Sequence, residues 1–191
     1  MDSRLGICGK DWVILAADAS VAYSIMKLKK DEDKIYKLND TSCMSVAGET
    51  CDRERFSSYI QRNLAWQYYK NGYHLDLDST AEYTRSELAE ALRKGPYQVS
   101  VLIAGVEDDG AKLYWMDYLG TLQRVTKAAH GYAGYFCSST LDNQYHPDMT
   151  KEEGLGAIKK CINELKVRFL IDQPVFKVKV MTKTGTGVID L

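Results

Sequence analysis

Three short apolar runs between Asp11 and Gly48 constrain the fold more than any other part of the chain. The first, DWVILAAD, is continuous through Trp12–Ala17 and ends on a single acid, Asp18. The second, KIYKL, opens on Lys34, and the third, SCMSVAGE, carries Gly48 near its end. Runs this short, bounded by polar turns, are strands, and near-continuous apolar strands suit a sheet covered on both faces. All three are expected to be buried. An acid ending one strand, a lysine starting the next and a glycine closing the third are the residues to follow.

The rest of the chain repeats this grammar. Leu5–Lys10 predicts a strand joined to the Asp11–Asp18 run by a tight turn at Gly9-Lys10. The KLKKDED cluster (Lys27–Asp33) predicts a solvated loop. Gly48 opens a first helix whose Phe56, Ile60, Leu64 and Tyr68 make one apolar face, with Asn71-Gly72 as its stop. A second helix is expected after Asp78-Ser79-Thr80, running to about Lys94 on Leu88, Ala91 and Leu92, with Gly95-Pro96 beyond it. Gln98–Glu107, Ala111–Tyr118 and Thr121–Thr126 then predict an antiparallel meander. A third helix is expected from Gly131 to about Tyr145. Thr150 and Glu153 form a capping box for a fourth, with a stripe at Leu155, Ile158, Ile162, Leu165 and Phe169. Val175–Lys183 and Val188–Leu191 supply the last strands.

Strand blocks alternate with helix pairs, so two stacked sheets with a helix pair on each outer side bury every apolar face. The expected class is α+β, a four-layer αββα sandwich. With 191 residues, one domain spanning 1–191 is expected. A net charge of −1 and no basic stripe argue against a nucleic-acid partner. No apolar run reaches the length of a membrane helix, so no membrane association is expected. The amino-terminal residues Met1-Asp2-Ser3-Arg4 have no apolar region behind them and do not read as a signal peptide. Five cysteines without metal or redox spacing, and three scattered histidines, give no metal site; the thiols are expected reduced and mostly buried. No cofactor is expected.

The tracts VILAADASV (Val13–Val21), KIYKL to MSVAGET (Lys34–Thr50), YIQRNLAWQYYKNGYHL (Tyr59–Leu75), LYWMDYLGT (Leu113–Thr121) and AAHGYAGYFCSSTLDNQYHPDMTKEEG (Ala128–Gly154) carry a resemblance over essentially the whole chain. The chain resembles the beta subunits of the 20S proteasome, most like the fourth beta position. The resemblance implies the αββα fold of N-terminal-nucleophile hydrolases. In active members an N-terminal threonine attacks the peptide carbonyl, its own amine acts as base, an aspartate and a lysine tune it, and a backbone N–H stabilises the oxyanion. Asp18, Lys34 and Gly48 match those last three positions, Lys34 less securely because Lys27, Lys29, Lys30 and Lys37 crowd around it. Counting back from them puts the nucleophile at Asp2, which has no hydroxyl and whose amine is bonded to Met1. Ser3 has a hydroxyl, but its amine would be free only after cleavage before it. The Gly-Ser-Gly of active members is Gly131-Tyr132-Ala133 here, and the linker Leu170–Pro174 lacks their Ser-Gly pair.

The resemblance thus implies a non-catalytic subunit in which Asp2, Asp18, Lys34 and Gly48 are vestigial. It implies alpha and beta neighbours in a four-ring particle of 28 chains, found in cytoplasm and nucleus, supporting ubiquitin-dependent proteolysis by catalytic neighbours. It also implies that the first two helices face the alpha ring and the last two the opposing beta ring, making Lys159 and Lys166 of the fourth helix candidate interface residues. The alternative is an active threonine- or serine-type peptidase or amidohydrolase. An alpha-ring subunit fits less well, because the first strand begins by Leu5 with no helix before it.

Overall fold

A computed structural model describes residues 2–23 and 26–191; Met1, with the peptide bond that ties up the Asp2 amine, and Ser24 and Ile25 of the segment before Lys34 lie outside the described residues. Two five-stranded antiparallel sheets lie at the centre. The first has the order β10 (Lys127–Gly131), β1 (Ser3–Cys8), β2 (Trp12–Asp18), β11 (Phe176–Thr182), β12 (Gly185–Asp190). The second is β5 (Ile35–Lys37), β6 (Ser42–Gly48), β7 (Val99–Glu107), β8 (Gly110–Met116), β9 (Leu122–Arg124). Helices α3 (Tyr132–Gln144) and α4 (Lys151–Arg168) cover the first sheet; α1 (Thr50–Asn71) and α2 (Leu77–Ala91) cover the second.

The apolar residues divide into three layers as the alternation of strand side chains requires. Ile14, Ala16 and Val178 face α3 and α4, meeting Ile158, Ile162 and Leu165. Their sequence neighbours Val13, Leu15 and Ala17 face the other way and pack between the sheets against Leu102, Ala104 and Leu113. Val101 and Ile103 of β7 point out toward Phe56 and Ile60 of α1 and Leu88 of α2. Every residue of β1 and β2 is buried, as expected of strands covered on both faces.

Several expectations need correction. β5 is a half-exposed edge strand rather than a buried one, because the second sheet ends there. The charged segment is not all loop: Met26–Lys29 (β4) pairs with Val21–Tyr23 (β3) as a two-stranded ribbon whose β4 side chains are all exposed. A solvated ribbon carries no apolar alternation to reveal it. β10 was not expected; its Ala128 and Ala129 are too small to mark a strand, yet it pairs with β1 along its length. α2 begins at Leu77, with Asp76 accepting from the Ser79 N–H at 2.6 Å, because Leu77, Thr80 and Ala81 bury its first turn. Along α1 only Phe56 and Ile60 of the apolar face are fully buried; Leu64 is partly buried and Tyr68 exposed. The capping box of Thr150 and Glu153 is present, and Phe169 serves as the carboxyl-terminal cap rather than as a helical residue.

Candidate functional site

Four chain segments deliver one polar group each, three charged side chains and one backbone amide, to the same end of the sandwich. Asp2 stands just before β1. Asp18 ends β2, opposite Phe176 of β11. Lys34 precedes β5, and the residues on both sides of it are fastened by Lys179 of β11, which pairs with Asp33 at 2.7 Å and donates to the Ile35 carbonyl. Gly48 closes β6 with φ +145°; a Cβ there would lie 2.1 Å from the Gln98 carbonyl oxygen, so only glycine makes this strand-to-helix corner.

Lys34 joins the two acids. Its ammonium donates to Asp2 Oδ1 at 2.7 Å, Asp18 Oδ2 at 3.1 Å and the Ser20 carbonyl at 2.6 Å. Asp18 Oδ1 accepts from the Ser20 N–H at 2.9 Å. The ambiguity among the five lysines disappears: the Lys34 side chain is 1% exposed, whereas that of Lys37 is 58% exposed. The Gly48 N–H points at Asp2 Oδ2, 3.4 Å away. All four expected positions therefore meet at one point, and Asp2 is at its centre.

Two further residues belong to the cluster that the sequence did not single out. Arg4 of β1 lies 3.3 Å from Asp2 Oδ2 and reaches across to the second sheet, donating to the Val46 carbonyl at 3.1 Å. Arg53, in the first turn of α1, lies 3.6 Å from the same oxygen and 3.2 Å from Glu54. Each left a signal. Arg4 interrupts a strand that is otherwise buried, and Arg53 puts a cation at the positive end of a helix, where the macrodipole opposes it. Burial works to raise the Asp2 carboxyl pKa, but Arg4, Lys34 and Arg53 beside it prevail and hold it well below the usual carboxylate range. Burial pulls the Arg4 guanidinium below its ordinary value, with Asp2 and Asp18 opposing that shift.

The backbone locks Asp2 in place. Gly131, at φ +66°, lies against it so closely that a Cβ would sit 1.9 Å from the Asp2 carbonyl oxygen, which accepts from the Tyr132 N–H at 3.3 Å. The Asp2 side chain is 9% exposed. Ser3 is a poor alternative nucleophile. It is fully buried in β1, paired with Gly131, and its hydroxyl has no hydrogen-bond partner among the described residues. Four of the five thiols are buried and Cys51 is exposed at the start of α1. Lys159 and Lys166 are exposed on α4, away from the cluster, and neither forms an ion pair among the described residues.

An αββα sandwich with an acid, a lysine and a glycine amide converging on the residue before the first strand defines the N-terminal-nucleophile hydrolase class. Within that class, the family model for proteasome subunits matches residues 2–181. A proteasome subunit beta type-2 from Oryza sativa subsp. japonica is 42% identical over 186 residues, covering 97% of this chain and 88% of the relative. A proteasome subunit beta type-4 from Saccharomyces cerevisiae is 41% identical over 193 residues, covering 100% and 98%. The beta type-2 subunit of Dictyostelium discoideum is 37% identical over 193 residues, covering 99% and 97%. The chain belongs to the proteasome subunit family, in its beta branch, as the sequence tracts led one to expect. Membership implies assembly with other proteasome subunits.

Proposed function

We propose that this chain is a non-catalytic, structural beta subunit of the 20S core particle. One observation carries the reading: where an active member presents a hydroxyl to its substrate, this chain presents the Asp2 carboxylate. That carboxylate is already bound by Lys34, Arg4, Arg53 and the Gly48 amide. A carboxylate held ionised and facing three cations is a poor nucleophile. The amide that would receive an oxyanion is directed at an anion of the protein itself. Asp18 and Lys34 then act as structural charges. The subunit takes a beta-ring position in a four-ring particle of 28 chains, in cytoplasm and nucleus, and supports ubiquitin-dependent degradation carried out by catalytic neighbours. Lys159 and Lys166 of α4 face the opposing beta ring.

The test is covalent labelling. Assembled particles are treated with an electrophilic inhibitor directed at N-terminal threonines, then digested and analysed by mass spectrometry. Adducts are expected on other subunits and none on this chain; an adduct on any of its residues, Ser3 included, refutes the reading.

A further inference from the structure

Asp2 does more at this position than lack a hydroxyl. Its two carboxylate oxygens are recognised separately. Lys34 holds Oδ1 at 2.7 Å, while Arg4 at 3.3 Å, Arg53 at 3.6 Å and the Gly48 N–H at 3.4 Å surround Oδ2. The three cations come from three parts of the chain, and all three are buried. Without Asp2 these three buried positive charges would face only Asp18, which is buried, and Glu54, whose half-exposed carboxylate pairs with Arg53 at 3.2 Å. Arg4 Nε is already without a hydrogen-bond partner among the described residues. Buried charge in such excess is strongly destabilising. Two cavities, of about 330 and about 650 Å³, meet at Asp2, so the position is open to a small molecule from either side once the side chain is gone. A carboxylate bound on both oxygens by cations and an amide has the contacts of a ligand. Its tether gives it a high effective concentration.

We propose that Arg4, Lys34, Arg53 and the Gly48 amide form a receptor for a small carboxylate, and that Asp2 occupies it from within. On the reading of this position as non-catalytic, the tethered acid has a definite task. It neutralises the cluster and keeps out free carboxylates, such as the end of a short peptide, that the flanking cavities would otherwise admit.

The test removes the tethered ligand and supplies a free one. Full-length Asp2→Ala and Asp2→Asn chains are compared with the unsubstituted chain by urea unfolding in sodium formate and in sodium chloride at equal ionic strength. Asp2→Ala should be the least stable in chloride. Formate at ten times its dissociation constant should raise its folded-to-unfolded ratio about elevenfold. The unsubstituted chain should not respond to formate, because the receptor is full. Asp2→Asn should not respond either, because its carboxamide fills the same space. If Asp2→Ala is recovered only as insoluble material, it is refolded in formate and in chloride, and soluble yield becomes the readout with the same expectation. No formate effect on Asp2→Ala overturns the proposal. So does an equal effect of chloride, a spherical ion with no carboxylate oxygens to be read, or an equal formate response from the unsubstituted chain. A failure of the non-catalytic reading shows itself differently, as a covalent adduct on the unsubstituted chain whatever formate does.

Discussion

Mild acid should destabilise this chain through His130. The residue lies on β10 opposite Arg4 of β1, is 6% exposed, and stacks on Trp115 with ring centroids 5.0 Å apart and planes 19° apart. Its Nε2 is 3.2 Å from the Val101 carbonyl oxygen, so in the neutral ring that nitrogen carries the proton. Burial pushes the pKa down from 6.5 to about 4; the Val101 hydrogen bond opposes the shift and the Arg4 charge adds to it. The unfolded chain takes up a proton below pH 6.5, and the folded chain refuses it until about pH 4. More protons bound to the unfolded state means that stability falls as pH falls through this window and levels off below it. The gap between 6.5 and about 4, at about 1.4 kcal/mol per pH unit, corresponds to a loss of about 3 kcal/mol. His130→Gln removes the titration and keeps a donor for Val101. Urea unfolding of both chains from pH 7.5 to pH 4 isolates the effect, since carboxylate titrations are common to the two. The stability of the unsubstituted chain relative to the variant should drop by about 3 kcal/mol across that range. A difference that stays flat would show that the ring is not held neutral by burial.

Two other substitutions probe the charges and the core. Lys34→Met leaves Asp18 buried beside a lost partner and should cost about 3–5 kcal/mol in urea unfolding, part of which Asp18→Asn in the same chain should restore. Ile162→Ala and Leu165→Ala should each cost about 2–5 kcal/mol, because both side chains are buried between α4 and the first sheet. Reversing Lys159 and Lys166 to glutamate should leave stability within about 0.5 kcal/mol and slow the joining of half-particles on native gels. Unchanged joining would mean that this face of α4 is merely solvated.

What could be read from the sequence was what the chain spells locally. Asp18 and Gly48 each end an apolar run, and Lys34 begins one, so all three were visible as landmarks and fell at one site. Arg4 and Arg53 left only weaker local signals, because their partners across the sandwich, the Val46 carbonyl for Arg4 and Asp2 for Arg53, meet them only once the two sheets are stacked. Layer order was legible because strand alternation and helix stripes each encode a buried face. Strands without such encoding escaped: β10 with its alanines, and the solvated ribbon of β3 and β4. The apolar stripe of α1 continues to Tyr68 in the sequence because periodicity records which side faces inward, not how far the underlying sheet extends. Tyr68 keeps the period but has no sheet beneath it.

That overhang divides α1 energetically. The helix has 22 residues, and every buried one lies between Arg53 and Ile60. Past Leu64 none is buried, and Tyr69 is 83% exposed. Among the described residues the contacts of the distal turns are with neighbours in sequence, among them Lys70 over the Trp66 ring, Asn71 donating to Gln67 at 2.8 Å, and Tyr68 stacked on His74. A helical segment of so few residues is marginal in water without tertiary support. In the free chain, then, the distal amides open by fraying at a cost far below that of global unfolding, while those near Phe56 open only when the whole domain does. Hydrogen exchange along this one helix would therefore descend in a gradient toward Gly72. Any neighbour that lies against its far end would flatten that gradient without altering the fold.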